Sequence, residues 1–131
     1  FYVHLSSRDS KEYFTGNKSS EFTLKLPEIL HLNGQWEVAL CTITLPKTKP
    51  HMKKLLVCSD LCVESIIGEK RLPLLRVLKG KIPSSFFEPL QYIPVRPLDI
   101  ERITVYINSV SGSPVSFNVG ECDCTLHFKH V

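Results

Sequence analysis

Five cysteines are the first residues of this sequence that could do chemistry. The pairs Cys58-x-x-x-Cys62 and Cys122-x-Cys124 could together offer four thiolates to a zinc ion. Neither pair has the C-x-x-C spacing of a zinc ribbon, and an odd, sparse set of cysteines is not a disulfide framework. We therefore expect reduced thiols in a cytosolic or nuclear setting, with Cys41 and the others serving as small apolar core residues.

The histidines do not form a recognised ligand spacing; they are His4, His31, His51, His127 and His130. His127 and His130 are three residues apart, which on a strand places them on opposite faces. We interpret all five as exposed or partly buried strand histidines, and we predict no metal site.

Catalytic motifs are also missing from the sequence. There is no Gly-x-Ser-x-Gly elbow, no glycine-rich phosphate loop and no His-Glu-x-x-His. Glu121 and Asp123 flank Cys122, but acids two apart at a strand start are more often solvated edge residues than a general acid and base. We therefore predict a protein that is not an enzyme, with no catalytic or cofactor-binding residues and no cofactor.

Composition is that of one folded domain covering residues 1–131, with 43% apolar and 22% charged residues. The net charge is +3, and the densest basic run, residues 47–54, is short. We interpret this run as a solvated connection between strands rather than a nucleic-acid or lipid contact, and we predict no specific nucleic-acid partner.

Segments that would direct the chain to a membrane are not found. No apolar run approaches the roughly 20 residues of a membrane span, and no secretory signal opens the sequence. Because the chain begins at Phe1 without a methionine, it is expected to be trimmed, processed or a fragment, and the missing signal says little about the gene product. The sequon at Asn17 matters only in a secreted protein, and we interpret it as a chance match.

The elements that must position these residues follow a period of two, as strands do. Proline and glycine punctuation separates the runs and leaves no room for long helices. Eight strands are predicted, at residues 1–5, 22–26, 35–45, 55–63, 72–78, 90–95, 103–107 and 124–130. One helical turn is predicted at residues 97–101, with Asp99 as its cap.

Two local patterns carry more detail. In the run 35–45, Trp36, Val38 and Leu40 share one face, whereas the apolar positions from Cys41 onward share the other; this phase change predicts a bulge, a bend or burial of both faces. Trp36 itself is predicted to lie in the core. Phe86 and Phe87 are adjacent, so one of them should be exposed or buried against another surface, unless loops cover both.

Eight short antiparallel strands in a chain of this length predict an all-β sandwich of two four-stranded sheets, a single jelly roll. That fold pairs the first and last strands, which we expect at the centre of one sheet. An immunoglobulin-like sandwich is not favoured, because no cysteine precedes Trp36.

Several segments follow one pattern: Phe1-Tyr2-Val3-x-Leu5-x-Ser7, a polar stretch with Asn17, Phe22-Thr23-x-x-Leu26-Pro27, Leu32-x-Gly34-x-Trp36-Glu37-Val38-Ala39-Leu40 and Pro46, then Ile103-x-Val105-x-Ile107, Gly112-x-Pro114-Val115-x-Phe117, Gly120 and Leu126-x-Phe128. This pattern resembles the single-jelly-roll minor capsid (penton) proteins of Polinton/Maverick elements and the related adintoviruses. The segment from Gly34 to Leu40 is the most distinctive, and residues 47–97 match no motif of that family.

The resemblance implies a structural virion protein, a homo-pentamer at the five-fold vertices of an icosahedral capsid. Its partner would be a double-jelly-roll major capsid protein, and its place the virion after assembly in the host nucleus or cytoplasm. The family has no catalytic residues to carry over.

Other interpretations stay open. The chain could be a non-catalytic jelly-roll binding module, lectin-like or cytokine-like, or a host-domesticated copy of a capsid protein. A nucleoplasmin-like chaperone usually carries acidic tracts that are missing here, and a cupin-type enzyme needs a metal-binding histidine cluster.

Overall fold

Alternation of apolar and polar residues produces most of the strands of this chain. The structure, a computed structural model, describes residues 1–46, 54–83, 85–115, 117 and 120–131. The strands are β1 (Tyr2–Ser6), β2 (Glu21–His31), β3 (Trp36–Thr44), β4 (Lys54–Ser59), β5 (Ser65–Ile67), β6 (Lys70–Leu72), β7 (Leu74–Lys79), β8 (Tyr92–Pro94), β9 (Asp99–Ser109) and β10 (Asp123–His130). The described residues contain no helix.

Eight of these strands form a sandwich of two antiparallel sheets. Sheet A has the order β1-β10-β3-β8, and sheet B has the order β2-β9-β4-β7. Along the chain the sandwich strands alternate between the two sheets, except that β4 and β7 both lie in sheet B. The first strand pairs with the last, as in a jelly roll. The predicted all-β fold of two four-stranded sheets is confirmed.

Three details differ from the prediction. Of the first and last strands, only β10 is an inner strand of sheet A, whereas β1 lies at its edge. Residues 97–101 contain no helical turn, because β9 begins at Asp99, where His31 of β2 pairs with it. The stretch between β4 and β7 adds a hairpin, β5 with β6, that the sequence pattern did not separate from its neighbours. Of the basic run 47–54, only Lys54 lies within the described residues.

The phase change in β3 is a β-bulge. Thr125 of β10 pairs with Thr42, but the next residue, Leu126, pairs with Leu40, so Cys41 has no partner on β10. The extra residue returns Ile43 to the core side, where Leu40 already lies. Of the three predicted alternatives, a bulge, a bend or burial of both faces, the structure shows the bulge.

The core lies between the two sheets and is apolar. It is dominated by side chains with almost no exposed surface, such as Phe22, Leu40, Ile103, Leu126 and Phe128. Trp36 is only partly buried. It packs against this core from the rim, and its ring nitrogen donates a hydrogen bond to the Asn33 carbonyl at 2.9 Å.

Candidate interaction surface

The outer face of sheet A gathers aromatic side chains where a solvated sheet usually carries polar ones. Strand pairing places Tyr2, His127, Ala39 and Tyr92 side by side across all four strands. Phe86, from the segment before β8, joins this row beside Tyr2, with ring centroids 6.2 Å apart. We call Tyr2, Phe86, Tyr92 and His127 the tyrosine–histidine face.

Contacts among these side chains hold the face in one arrangement. A hydrogen bond of 2.9 Å joins the Tyr92 hydroxyl to Nδ1 of His127. The Tyr2 ring lies 4.6 Å from the His127 ring. Lys129 places its ammonium 4.2 Å from the Tyr92 ring centroid and 3.7 Å from Oε1 of Glu37. Held in this way, the side chains lose little further entropy when a partner covers them.

Two members of the face are open to solvent. Tyr2 is 54% exposed and Phe86 is 45% exposed, large values for aromatic side chains that lie together. Ala39, the small residue of the same row, is fully covered. Exposed, clustered and rigid aromatic side chains are typical of surfaces that bind other molecules.

Burial sets the charge state of the face. It lowers the pKa of His127, and the positive charges of the chain's amino terminus and Lys129 lower it further. Burial also raises the pKa of Tyr92. His127 is therefore neutral near pH 7, and its hydrogen bond with Tyr92 joins two uncharged groups.

Of the two alternatives for the adjacent phenylalanines, the structure shows the one in which one ring is exposed. Phe86 points to the outer face of sheet A, whereas Phe87 is buried in the core cluster. The Phe87 backbone N–H donates to the Cys41 carbonyl at 2.9 Å, which ties this segment to β3 beside the bulge.

The five cysteines are free and buried, as expected for core residues. Burial raises the pKa of Cys41, raises those of Cys58, Cys62 and Cys122 to about 11, 12 and 12, and raises that of Cys124 far above the usual range. Protonated, enclosed thiols are poor nucleophiles.

The alternative four-thiolate site is not assembled. Cys58 lies on β4 of sheet B, whereas Cys124 lies on β10 of sheet A. Within the described part of the chain, no three histidine, cysteine or acidic side chains are arranged to hold a metal ion.

Glu121 and Asp123, the acids on either side of Cys122, contact the segment that follows β1. Glu121 accepts a hydrogen bond from the buried hydroxyl of Ser7 at 2.5 Å, and its other oxygen lies 3.8 Å from Lys11. Asp123 lies 4.0 Å from Arg8. Both acids therefore hold the segment after β1 in place, and Asp123 lies on β10, an inner strand of sheet A.

Histidines occupy surface positions wherever they are described. His127 and His130 lie on opposite faces of β10, as predicted: His127 faces Tyr92, whereas His130 packs edge-on against Trp36 at 5.1 Å. His4 contacts Thr125, and His31 contacts Asp99. His51 lies outside the described residues.

Asn17 has a structural task that the sequence pattern did not reveal. Its amide oxygen accepts from the Thr23 N–H at 2.9 Å, and its amide nitrogen donates to the carbonyls of Thr23 and Asp9 at 2.8 and 3.2 Å. These bonds close the segment between β1 and β2 against β2. The sequence signal was the asparagine in a polar stretch, where side-chain to backbone bonds are common.

The tyrosine–histidine face could have been found only in part. Tyr2 occupies an outward position in the alternation of the first strand, but the neighbours that make it part of a face come from β8, β10 and the segment before β8.

No helix among the described residues is long and apolar enough to cross a membrane. No protein-family model matches this chain, and no curated protein sequence matches it.

Proposed function

We propose that this chain is a non-catalytic structural protein of a virion, a penton that forms homo-pentamers at the five-fold vertices of an icosahedral capsid. The jelly roll supports this proposal, because it is one of the folds that capsid proteins use. The same fold also serves lectins and cupins, so the surface must carry the argument.

The exposed tyrosine–histidine face is the observation that carries the proposal. A ring of identical subunits joins one surface of each copy to a different surface of the next. Such contacts favour rigid aromatic side chains, which bury a large area at low entropic cost. In the pentamer, Tyr2 and Phe86 of one copy would be covered by its neighbour.

Competing uses of the jelly roll fit this chain less well. A cupin holds its metal between the sheets, but the space between the sheets here is filled by apolar side chains, and every described histidine is exposed or only partly buried. A secreted binding module with a glycan on Asn17 would have to lose one of the two hydrogen bonds that this amide nitrogen donates to Thr23 and Asp9, because glycosylation replaces one of its two hydrogens.

Sedimentation velocity and native mass spectrometry of the purified protein test the ring. We expect a pentamer, either alone or on addition of a co-expressed double-jelly-roll capsid protein. The double variant Tyr2→Ser with Phe86→Ser should remain folded and become monomeric. The matched control Ile66→Ser removes a side chain that is 73% exposed on the β5–β6 hairpin, and it should leave the pentamer intact.

Two outcomes would overturn the proposal. One is a monodisperse monomer at high concentration that also fails to join the major capsid protein. The other is a pentamer that the double variant and the control affect equally, because the tyrosine–histidine face would then have no part in the ring.

A further inference from the structure

A second surface of the molecule gathers positive charge. A groove of about 510 Å³ lies where β7, at the edge of sheet B, faces the segment leading to β8, at the edge of sheet A. Lys54, Arg76, Lys79 and Lys81 line it. We call these four residues the basic groove.

The topology brings the four cations together from two separate stretches of chain. Lys54 and Lys79 are direct partners where β4 pairs with β7. Lys81 follows Gly80, whose φ of +63° turns the chain after the end of β7. In the sequence, Lys54 lies more than twenty positions before the other three cations, so strand pairing is what brings the cluster together.

The charge of the groove is not neutralised within the described residues. None of its four cations is in an ion pair there, and none of its described lining residues is acidic. The whole chain has a net charge of +3, so outside the basic groove its charges nearly cancel. An uncompensated cluster on an otherwise nearly neutral protein attracts anions.

Arg76 is held ready for an anion. Its guanidinium carbon lies 4.2 Å from the ring centroid of Phe87, and Nη1 donates to the Pro89 carbonyl at 3.2 Å. Because Phe87 is buried and hydrogen-bonded to β3, the guanidinium rests on a fixed support. A guanidinium carries further N–H groups in a planar fork, which is the shape that binds two oxygens of a phosphate.

We propose that the basic groove binds the phosphate backbone of nucleic acid without reading its sequence. Flexible lysines around one fixed arginine suit repeated phosphates, which are contacted as point charges. The exposed aromatic side chains that would anchor a protein partner, Tyr2 and Phe86, lie on the outer face of sheet A instead. This inference does not depend on the vertex role.

Fluorescence anisotropy with a short, labelled DNA duplex of mixed sequence tests the groove, with salt varied from about 50 to about 200 mM. We expect wild-type dissociation constants between about 10⁻⁶ and 10⁻⁴ M, weakening steeply with salt. The triple variant Lys54→Gln, Lys79→Gln, Lys81→Gln should bind at least about tenfold more weakly at the lowest salt. Its salt slope should fall by about 3, because each lysine that no longer neutralises a phosphate lowers the slope by about 1.

A matched control separates the groove from overall charge. The triple variant Lys11→Gln, Lys18→Gln, Lys25→Gln removes the same charge from exposed positions on the segment before β2 and on β2 itself, and it should bind almost as the wild type does. Arg76→Lys keeps the charge but loses the planar group, and it should bind several-fold more weakly. Circular dichroism of each variant verifies the fold.

The proposal is overturned if the duplex does not bind at the lowest salt, or if both triple variants lose affinity equally. It is also overturned if polyglutamate at the same charge concentration binds more tightly than the duplex, which would indicate an acidic protein partner. If the protein binds no duplex and the groove variant changes its sedimentation coefficient, the groove belongs instead to a contact between copies of the chain. Duplex binding and oligomeric state are measured separately, so one can fail without the other.

Discussion

Single polar side chains fasten the connections of this sandwich to its strands. Ser7 is fully buried, and its hydroxyl donates to Glu121 while accepting from the Cys122 N–H at 3.0 Å. Asn17 fastens its segment to β2 in a similar way, because its amide oxygen accepts from the Thr23 N–H and its amide nitrogen donates to the Thr23 carbonyl. Such bonds satisfy backbone groups that strand pairing leaves free. Each of these two residues therefore has a local structural reason to be what it is.

Replacing Asn17 tests this role. Asn17→Ala should lower the free energy of unfolding by about 1–3 kcal/mol, because it leaves the Thr23 N–H and two carbonyls without their partner. Ser19→Ala is the matched control, since it also destroys the sequon but leaves the Asn17 amide in place. Urea unfolding measures both, and equal effects would contradict the assignment.

His127 predicts a pH dependence of stability. In the unfolded chain its pKa is about 6.5, whereas burial lowers that pKa in the folded protein. The unfolded state therefore takes up the proton more readily, so the His127 contribution is complete above pH 6.5 and declines as the pH falls below it. The urea concentration at the unfolding midpoint should be lower at pH 5.5 than at pH 7.5. These two values lie about one pH unit below and above the ordinary histidine pKa.

His127→Gln should flatten this dependence, because glutamine does not titrate. His4→Gln, on the same face of sheet A, leaves His127 in place and serves as the control. If the two variants show the same pH profile, the dependence does not come from His127.

At the scale of elements, two local devices set the shape of sheet A. The bulge at Cys41 lets β3 present Leu40 and Ile43 to one core although they are three residues apart. The Asn33-Gly34 turn before β3 has Gly34 at φ +82° and is pinned by the Trp36 ring nitrogen.

Gly34→Ala should destabilise the protein by about 1–2 kcal/mol, since an L-residue with a Cβ is strained in the left-handed region. The new Cβ would also lie 2.9 Å from Nε2 of His130, which must move. Gly16→Ala is the control, because nothing lies within 4 Å of a Cβ there. Chemical denaturation of the two variants measures the difference. Comparable losses of stability would show that the turn does not require glycine at position 34.

At the scale of the whole molecule, the two proposed surfaces lie on different sides of the sandwich. The tyrosine–histidine face covers the outside of sheet A, whereas the basic groove opens at the side formed by β7 and the segment before β8. A subunit of this kind could contact its neighbour and an anionic polymer at the same time.

A ring of subunits would tie stability to concentration. The thermal midpoint of the wild type should rise with protein concentration, because assembly binds the folded state alone. Differential scanning calorimetry over about a hundredfold range of concentration should show this rise, and the Tyr2→Ser, Phe86→Ser variant should lose it. A wild-type midpoint that is independent of concentration would speak against the ring.

The alternation of side chains determined much of this protein in advance. It predicted the all-β class and the two sheets, and it gave the bulge near Cys41 and the division between Phe86 and Phe87 each as one of the alternatives. These features depend on which face a residue occupies relative to its neighbours in the chain, and that is a local property with a period of two. The burial of the thiols was expected from the small apolar character of cysteine. The helical turn predicted at residues 97–101 was wrong because pairing with His31 draws Asp99 into β9.

Only the tertiary structure decided which strands became neighbours. Tyr2 meets His127 because β1 pairs with β10, and Lys54 meets Lys79 because β4 pairs with β7. Both surfaces arise from residues that are far apart in sequence. Pairing is settled when the two sheets close over one apolar core, which is a global condition that no local pattern expresses.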